Sequence, residues 1–208
     1  MDLVERWTAL AGEQTRRLGE ELLARYAEEH RKYHTIEHLE AVLDLVDELA
    51  GDADDPDVVR LAAWFHDAVY DPSRDDNEER SAILAERMLG DTDLEPERTA
   101  RVAALVRMTR THAPEDRDGR VLCDADLAIL AAGAEDYAAY TAAVREEYHF
   151  VPEEYFRAGR AAVLDQLLGL GELFHGPTAK ARFEERARAN LTAELALLRT
   201  SDAAGPTT

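Results

Sequence analysis

Apolar residues recur at helical spacing along most of the chain. In the first segment, about residues 2–29, spacings of three, four and seven or eight residues place most of them on one face, which favours an amphipathic helix over a strand. These residues are Leu3, Trp7, Leu10, Leu18, Leu22 and Tyr26. The segment 36–50 repeats the pattern. The segment 57–70 is nearly all apolar, which predicts a helix at the centre of the fold.

Polar turns separate these segments and those that follow. The sequences GDADDPD (51–57) and DPSRDDNEE (71–79) combine Pro with aspartates, as turns and helix starts do. Further helices are predicted at 77–90, 96–111, 123–132, 134–149, 152–169 and 177–199. The chain has no alternating strand pattern of useful length, no internal repeat and no linker. We therefore predict an all-α fold, with a single compact domain over residues 1–200 and a disordered tail over 201–208.

Charge limits the class of partner. The chain carries 44 acidic and 24 basic residues, a formal net charge of -20. Such a surface repels nucleic-acid polymers and anionic lipid, so neither is expected as a large partner. The expected partner is a small phosphorylated substrate, for which a bound metal and a few arginines would reverse the potential locally. The sequence leaves open whether the protein is a monomer or a homodimer.

The location of the protein is predicted from its cysteine content and its apolar segments. Cys123 is the only cysteine, which excludes an intramolecular disulfide and favours a reducing compartment. The first residues are charged throughout, unlike a signal peptide, and no window has the apolar length of a membrane span. The expected location is the cytoplasm.

Histidines and aspartates supply the candidate chemistry. His34 and His38 stand four residues apart near the start of the segment 36–50, so both are expected on about the same helix face. His66 and Asp67 lie in the most apolar segment, where an unpaired carboxylate would cost several kcal/mol or more, on the order given by transfer data. A metal ion makes such burial tolerable.

A second acidic motif lies downstream. Asp124 and Asp126 are expected at the head of another apolar helix, where one would cap the helix and the other would bind the metal. Imidazole and carboxylate together suit Mn, Fe, Co, Ni or Zn.

The order of these motifs resembles that of the HD superfamily of metal-dependent phosphohydrolases. In RKYHTIEHLEAVL, the element YHTxxH resembles the YHNxxH of cyclic-nucleotide phosphodiesterases. The runs WFHDAVYDPSRDDNEERSA, LCDADLAIL, VREEY and YFRAGR resemble a bacterial family of predicted HD phosphohydrolases. The resemblance covers about residues 25–195 and implies a helical HD bundle.

The resemblance also implies roles for particular residues. It implies that His38, His66, Asp67 and Asp126 bind the metal, with Asp126 preferred to Asp124 because the last ligand of the superfamily usually follows an alanine. It implies that His34 is the general acid. Asp67 is then also placed to accept a proton from the attacking water. Thr35 replaces the asparagine of the phosphodiesterases, so a cyclic-nucleotide substrate is not indicated.

The number of metals follows from the same comparison. Dinuclear HD enzymes generally place two further histidines between the His-Asp pair and the last aspartate, and this chain has only His112 there. The predicted cofactor is therefore one divalent metal, which is Mn, Fe, Co, Ni, Mg or Zn.

Five further residues are candidates to contact the substrate. His112 is placed to line the pocket, although a histidine late in a helix also suits the helix dipole. Asn77 and Glu78 would reach the substrate or the metal's surroundings, or else only begin a helix. Arg145 and Arg160 are candidates to hold phosphate, with Arg31, Lys32 and Arg110 as further ones. Arg145 is equally explained by an ion pair between helices.

These observations favour a metal-dependent phosphohydrolase. It would hydrolyse a phosphate mono- or diester of a small, nucleotide-like substrate with metal-activated water. The alternatives are an HD-type iron-dependent oxygenase and a non-catalytic sensor that binds metal or nucleotide.

Overall fold

The computed structural model describes residues 2–200, and the predicted disordered tail at 201–208 lies outside them. The described residues form ten α-helices and no strand, which confirms the all-α prediction. In chain order the helices are α1 (Leu3–Ala11), α2 (Arg16–Tyr26), α3 (Ile36–Glu48), α4 (Pro56–Phe65), α5 (Asn77–Gly90), α6 (Pro96–Met108), α7 (Arg117–Asp126), α8 (Ala134–Glu147), α9 (Glu153–Gly169) and α10 (Pro177–Thr200).

The chain divides into two compact units between Asp126 and Leu127. The first unit contains α1 to α7. The second begins with the 3-10 turn Leu127–Ala131 and contains α8 to α10. The single domain over residues 1–200 stays a prediction. Within the described part of the chain, every helix is too short or too polar to cross a membrane.

The first predicted helix, residues 2–29, is two helices. Gly12 ends α1 with a φ of 92°, a left-handed conformation that glycine adopts without strain. Asp2 and Glu5 form a capping box at the start of α1. The break lets α2 fold back so closely that a Cβ at Gly19 would stand 2.6 Å from two ring atoms of Trp7.

Helix α4 lies at the centre of the first unit, as its apolar sequence predicts. The Asp55 carboxylate accepts the backbone N–H of Val58, and Pro56 occupies the first turn. Trp7 packs edge-on against Trp64 and Phe65, with ring centroids 5.3 Å and 6.1 Å away. The buried face of α4 therefore fixes the position of its carboxyl end.

Helix α4 ends at Phe65, not at residue 70 as predicted. The next residues form a turn, in which the backbone N–H of Ala68 bonds to the Phe65 carbonyl. The helix cannot continue because side chains from elsewhere hold the following backbone groups: Tyr26 accepts the N–H of Asp67, and Ser81 accepts that of Val69. The His-Asp pair thus lies just beyond the apolar helix.

Helix α7 begins six residues before the predicted helix 123–132. Asp116 starts the helix by accepting the N–H of Gly119. Asp126 is consequently its last helical residue, and a 3-10 turn follows. The expectation that Asp124 or Asp126 lies at a helix head and caps it is therefore wrong.

Candidate metal centre

The turn that carries the His-Asp pair, residues 66–69, is fixed from three sides. The Tyr26 hydroxyl donates to the Trp64 carbonyl at 3.2 Å and accepts the N–H of Asp67 at 3.3 Å. The Arg31 guanidinium donates to the Asp67 carbonyl at 2.8 Å. The Ser81 hydroxyl pairs with the backbone of Val69. This support leaves little freedom to the backbone of residues 66–69.

Two buried imidazoles face each other across the centre. The Nε2 atoms of His38, on α3, and His66, after α4, are 3.1 Å apart. Nδ1 of His66 lies 2.8 Å from the Ala63 carbonyl, and a carbonyl only accepts, so this nitrogen carries the proton. The lone pair of the neutral ring is therefore on Nε2 and directed into the centre, as for a metal-binding histidine.

Two carboxylates complete the group. Oδ2 of Asp67 is 3.1 Å from Nε2 of His66 and 3.5 Å from Nε2 of His38. Oδ1 of Asp126 is 3.6 Å and 3.4 Å from the same two nitrogens. The structure thus brings together the four residues predicted as ligands.

Asp124 is the alternative to Asp126 that the sequence left open. Two residues along an α-helix correspond to a rotation of about 200°, so the two side chains leave α7 on nearly opposite sides. Because Asp126 contacts both imidazoles, the geometry favours Asp126 as the last ligand.

Electrostatics in the centre favour ionised carboxylates. Burial opposes this, but the imidazoles of His66 and His34 lower the pKa of Asp67 well below its usual range. The pKa of Asp126 is also lowered: burial raises it, but hydrogen bonds from His112 and His38 lower it strongly. Both aspartates are anionic at neutral pH.

The pKa values of the two buried histidines are raised, whereas those of the two aspartates are lowered. Burial alone would lower the pKa of His66, but the charges of Asp67 and Asp126 outweigh it and raise the pKa to about 9. For His38, burial also lowers the pKa, and hydrogen bonds to Asp126 and Asp67 raise it. In the absence of a metal the centre therefore attracts positive charge.

The donor set fits a divalent cation. One ligand atom from each of His38, His66 and Asp67 lies within 4.8 Å of the others. Ligands bound at about 2.1 Å around one ion stand roughly 3–3.5 Å apart, and the spacings of 3.1–3.6 Å between the imidazole and carboxylate atoms match this. Mixed nitrogen and oxygen donors suit Mn, Fe, Co, Ni or Zn.

His34 lies beside this group and not on the helix with His38. It precedes α3, whose N-cap is Thr35, so its position depends on the loop. Its half-buried ring stacks on Tyr70, with ring centroids 4.2 Å apart, and is 5.8 Å from the ring of His38. The ring is near enough to Asp67 to affect its pKa.

His112 also reaches the centre. Its Nε2 is 2.9 Å from Oδ2 of Asp126, the oxygen opposite the one that faces His38 and His66. The sequence analysis predicted His112 in the pocket but not this contact. The contact depends on a left-handed backbone, with a φ of 48°, which spacing does not indicate.

The other two candidates of the first unit lie at the start of α5. The Asn77 side chain bonds to both the N–H and the carbonyl of Asp71, so it closes the loop 71–77. Glu78 is half-buried in the first turn of α5. Their predicted contact with substrate stays a prediction.

Arg145 and Arg160 belong to the second unit. Arg145 donates to the carbonyls of Tyr148 and Val151 and pairs with Glu153, so it ties the end of α8 to the loop that follows. Arg160 pairs with Glu194 at 2.7 Å, and both side chains are largely buried. These contacts are structural, and the predicted phosphate contacts of both residues stay predictions.

Sequence reasoning missed the residues that support the centre. The sequence predicts Tyr26 only as part of an apolar stripe and Arg31 as a phosphate contact, and it indicates no role for Ser81. The location of Arg31 two residues before the first residue of YHTxxH was the available signal, but the sequence alone does not show that its side chain is buried.

Comparison with known proteins identifies the family that the central part of the chain resembles. A family model described as HD domain matches residues 35–129. The matched range includes the four candidate ligands and His112, and it begins one residue after His34. Comparison with curated proteins and with solved structures gives no match. The narrower bacterial family stays a prediction. Residues 35–129 therefore match an HD domain, which is consistent with the HD superfamily of metal-dependent phosphohydrolases.

Proposed function

We propose that the protein hydrolyses a phosphate mono- or diester of a small, nucleotide-like substrate. The observation that carries this proposal is the convergence of two imidazole nitrogens and two ionised carboxylates in an HD domain. His34 beside that group adds a candidate proton donor.

The four candidate ligands would hold one divalent cation. Such a cation lowers the pKa of a bound water and polarises a phosphoryl oxygen. The residues of the protein would orient the ligands and accept the proton. The Ala63 carbonyl keeps Nε2 of His66 directed inward, and the backbone contacts of Tyr26 and Arg31 hold Asp67 in place. Asp67, anionic at neutral pH, would also accept a proton from the attacking water.

His34 is proposed to protonate the leaving oxygen. Its stacking on Tyr70 holds the plane of the ring, which is half-buried beside the candidate ligands. The bond from phosphorus to the leaving oxygen would break as the water oxygen bonds to phosphorus, and the His34 proton would pass to the leaving oxygen.

The size and kind of substrate are supported by charge and by one aromatic ring. A net charge of -20 disfavours a polyanion, and this leaves small phosphate esters as substrates. The half-buried ring of Tyr33 lies 4.9 Å from His34 and 4.8 Å from His38. An aromatic face so near the reacting atoms suits a nucleobase, which stacks on such rings.

The test is a hydrolysis assay of protein purified without chelator. Mn, Mg, Co, Ni, Zn and Fe are each added with bis-p-nitrophenyl phosphate, p-nitrophenyl phosphate, nucleoside mono-, di- and triphosphates, and cyclic nucleotides. We expect turnover that depends on the metal. In Asp67→Asn it falls by about two orders of magnitude or more, because several kcal/mol of transition-state stabilisation depend on the cation.

Asp57→Asn is the matched control. Asp57 lies in the first turn of α4, pairs with Arg60 and is 57% exposed, so its loss leaves the centre intact. A loss in Asp67→Asn shows that the activity does not come from a contaminating phosphatase, and equal activity in Asp57→Asn and wild type shows that the loss is specific to the centre. Tight metal binding without turnover would contradict the proposal. Iron content and oxygen consumption would then distinguish an oxygenase from a sensor.

A further inference from the structure

Among the arginines and lysines of the described residues 2–200, Arg31 alone is buried, and it contacts the backbone of the candidate centre. Its side chain is 0% exposed, and the carboxylate that it contacts, Glu28, is 41% exposed. Burial of a guanidinium is costly unless its donors are satisfied. Here Nε donates to Glu28 at 3.1 Å, and the terminal nitrogens donate to backbone carbonyls.

Those carbonyls belong to two separate segments. Nη1 donates to the His34 carbonyl at 3.1 Å and to the Asp67 carbonyl at 2.8 Å. Nη2 donates to the Ala68 carbonyl at 3.4 Å. One nitrogen thus connects the backbone of the candidate proton donor to the backbone of a candidate metal ligand 33 residues later in the chain.

Two aromatic rings hold the guanidinium in place. Its central carbon lies 5.2 Å from the ring centroid of Tyr26 and 5.4 Å from that of Tyr70. Tyr70 also stacks on the imidazole of His34, and the Tyr26 hydroxyl accepts the N–H of Asp67. Each ring therefore contacts one of the two segments that Arg31 joins.

We infer that Arg31 is a positioning residue, which fixes His34 relative to the metal ligands so that the imidazole reaches the leaving oxygen. The inference rests on the proposed function. It replaces the expectation that Arg31 holds phosphate, because its donors contact backbone carbonyls and Glu28. A planar fork with several donors can bridge two segments, whereas the single ammonium of lysine cannot reproduce that geometry.

The experiment compares two esters that differ in their need for a proton. Nitrophenolate leaves readily as an anion, whereas phenolate depends more on a general acid. Activities of wild type, Arg31→Lys and His34→Ala are measured on the p-nitrophenyl and phenyl esters of whichever class, mono- or diester, the wild type hydrolyses. We expect Arg31→Lys to lower kcat on the phenyl ester about 10-fold more than on the p-nitrophenyl ester, since small misplacements of a reacting group have effects of this size.

The double variant shows whether Arg31 acts through His34. In the His34→Ala background, Arg31→Lys is expected to leave kcat on the phenyl ester nearly unchanged. Metal content, by mass spectrometry, should be equal in wild type and Arg31→Lys. Arg60→Lys is the matched control: it changes a paired arginine on α4 away from the centre and should keep the wild-type ratio of the two esters.

Two outcomes would overturn the inference. One is an equal loss on both esters, which indicates a general structural effect. The other is a full additional loss in the double variant. If Arg31→Lys does not fold, Glu28→Ala takes its place, because it keeps the guanidinium and removes the acceptor of Nε, together with a contact of 3.8 Å to His30. In Glu28→Ala, kcat on the phenyl ester should fall several-fold more than kcat on the p-nitrophenyl ester. An unchanged ratio of the two kcat values would also overturn the inference. Failure of the proposed function is distinguishable, since the wild type would then hydrolyse neither ester.

Discussion

His112 combines an unfavourable backbone with a contact to a candidate ligand. Its φ of 48° lies in the left-handed region, where a residue other than glycine is strained by about 1 kcal/mol or more. The same conformation directs Nε2 to Asp126. The strain therefore accompanies a contact that orients Asp126, the candidate last ligand of the centre.

The strain predicts an unusual order of stability between two variants. His112→Gly and His112→Ala both lose the imidazole, but glycine adopts this φ freely. We expect the glycine variant to exceed the alanine variant by about 1 kcal/mol in free energy of unfolding, measured with urea. Equal stability, or a more stable alanine variant, would show that the backbone is not strained. Both variants should lose the same activity.

The choice between Asp126 and Asp124 is also tested at the scale of the residue. Asp126 contacts the two imidazoles that face the centre, and Asp124 leaves α7 on nearly the opposite side. Asp126→Asn should weaken Mn²⁺ binding at least about 10-fold, measured by calorimetry, since even groups that only support a metal site have effects of 10- to 100-fold. Asp124→Asn should retain the affinity. A greater loss in Asp124→Asn would assign the ligand to Asp124.

The sequence contained enough information to predict which residues meet in the centre, but not how they meet. Spacing and resemblance indicated His38, His66, Asp67 and Asp126. Spacing did not indicate that Asp67 lies beyond its helix, because this depends on Tyr26 and Ser81, which are distant in sequence. It also did not indicate the left-handed backbone of His112.

At the scale of the element, the contacts at the amino end of α4 stabilise the helix that directly precedes His66. Asp55 accepts the N–H of Val58 at 3.2 Å and pairs with Arg98 through contacts of 2.7 Å and 3.0 Å. Asp55→Ala should lower the free energy of unfolding by about 1 kcal/mol at pH 7, as for other helix caps. Asp55→Asn keeps a capping oxygen and should lose less.

The effect of Asp55→Asn on the free energy of unfolding should depend on pH. Burial opposes ionisation of Asp55, but hydrogen bonds from Arg98 and Val58 lower its pKa below its usual value. The folded state thus binds this proton more weakly than the unfolded state, whose pKa is about 3.9. The stabilisation is present above that pKa and is lost as the pH falls through the lower folded value. The difference between wild type and Asp55→Asn should therefore decrease on acidification from pH 7 to about 3. A constant difference would contradict this.

Close packing of α1 on α2 gives a prediction with a matched control. A Cβ at Gly19 would stand 2.6 Å from ring atoms of Trp7, whose ring packs on α4. Gly19→Ala should lower the free energy of unfolding by about 1–3 kcal/mol, as overpacking does. Gly159→Ala, in α9, has nothing within 4 Å of the new methyl group and should stabilise, since alanine favours helix. Thermal unfolding measures both, and a neutral Gly19→Ala would contradict the packing.

Helices were easier to predict than their ends. Apolar periodicity predicted α3, α5, α8, α9 and α10 to within two residues at each end. It did not predict the break at Gly12, where the glycine backbone is left-handed. It also did not predict the early end of α4, because that end depends on contacts with residues distant in sequence. The turn after α4 is the clearest example, since it is stabilised by Tyr26, Arg31 and Ser81.

At the scale of the whole molecule, the all-α class followed from composition and periodicity together. Alanine, leucine, glutamate and arginine dominate the chain, and unbranched side chains lose little freedom in a helix. The division after Asp126 was not predicted, because helical periodicity continues through 123–132 and no change in composition marks the boundary. Periodicity reports local structure, whereas a division into units depends on which helices contact one another.

The net charge of -20 has two consequences that salt should reveal. Like charges repel in the folded protein, and an acidic protein repels an anionic phosphate ester. Salt shortens the Debye length from about 30 Å at 0.01 M to about 8 Å at 0.15 M, so it weakens both repulsions. Over this range we expect a higher unfolding temperature and, at a constant metal concentration, a higher kcat/KM for an anionic ester.

Surface ion pairs such as Arg199–Asp165 weaken at the same time. The rise in unfolding temperature therefore measures how far the repulsion between like charges exceeds the attraction within ion pairs. A fall in unfolding temperature with added NaCl would show that the ion pairs dominate. Sucrose, which carries no charge, should leave kcat/KM unchanged and so separates screening from a general solvent effect.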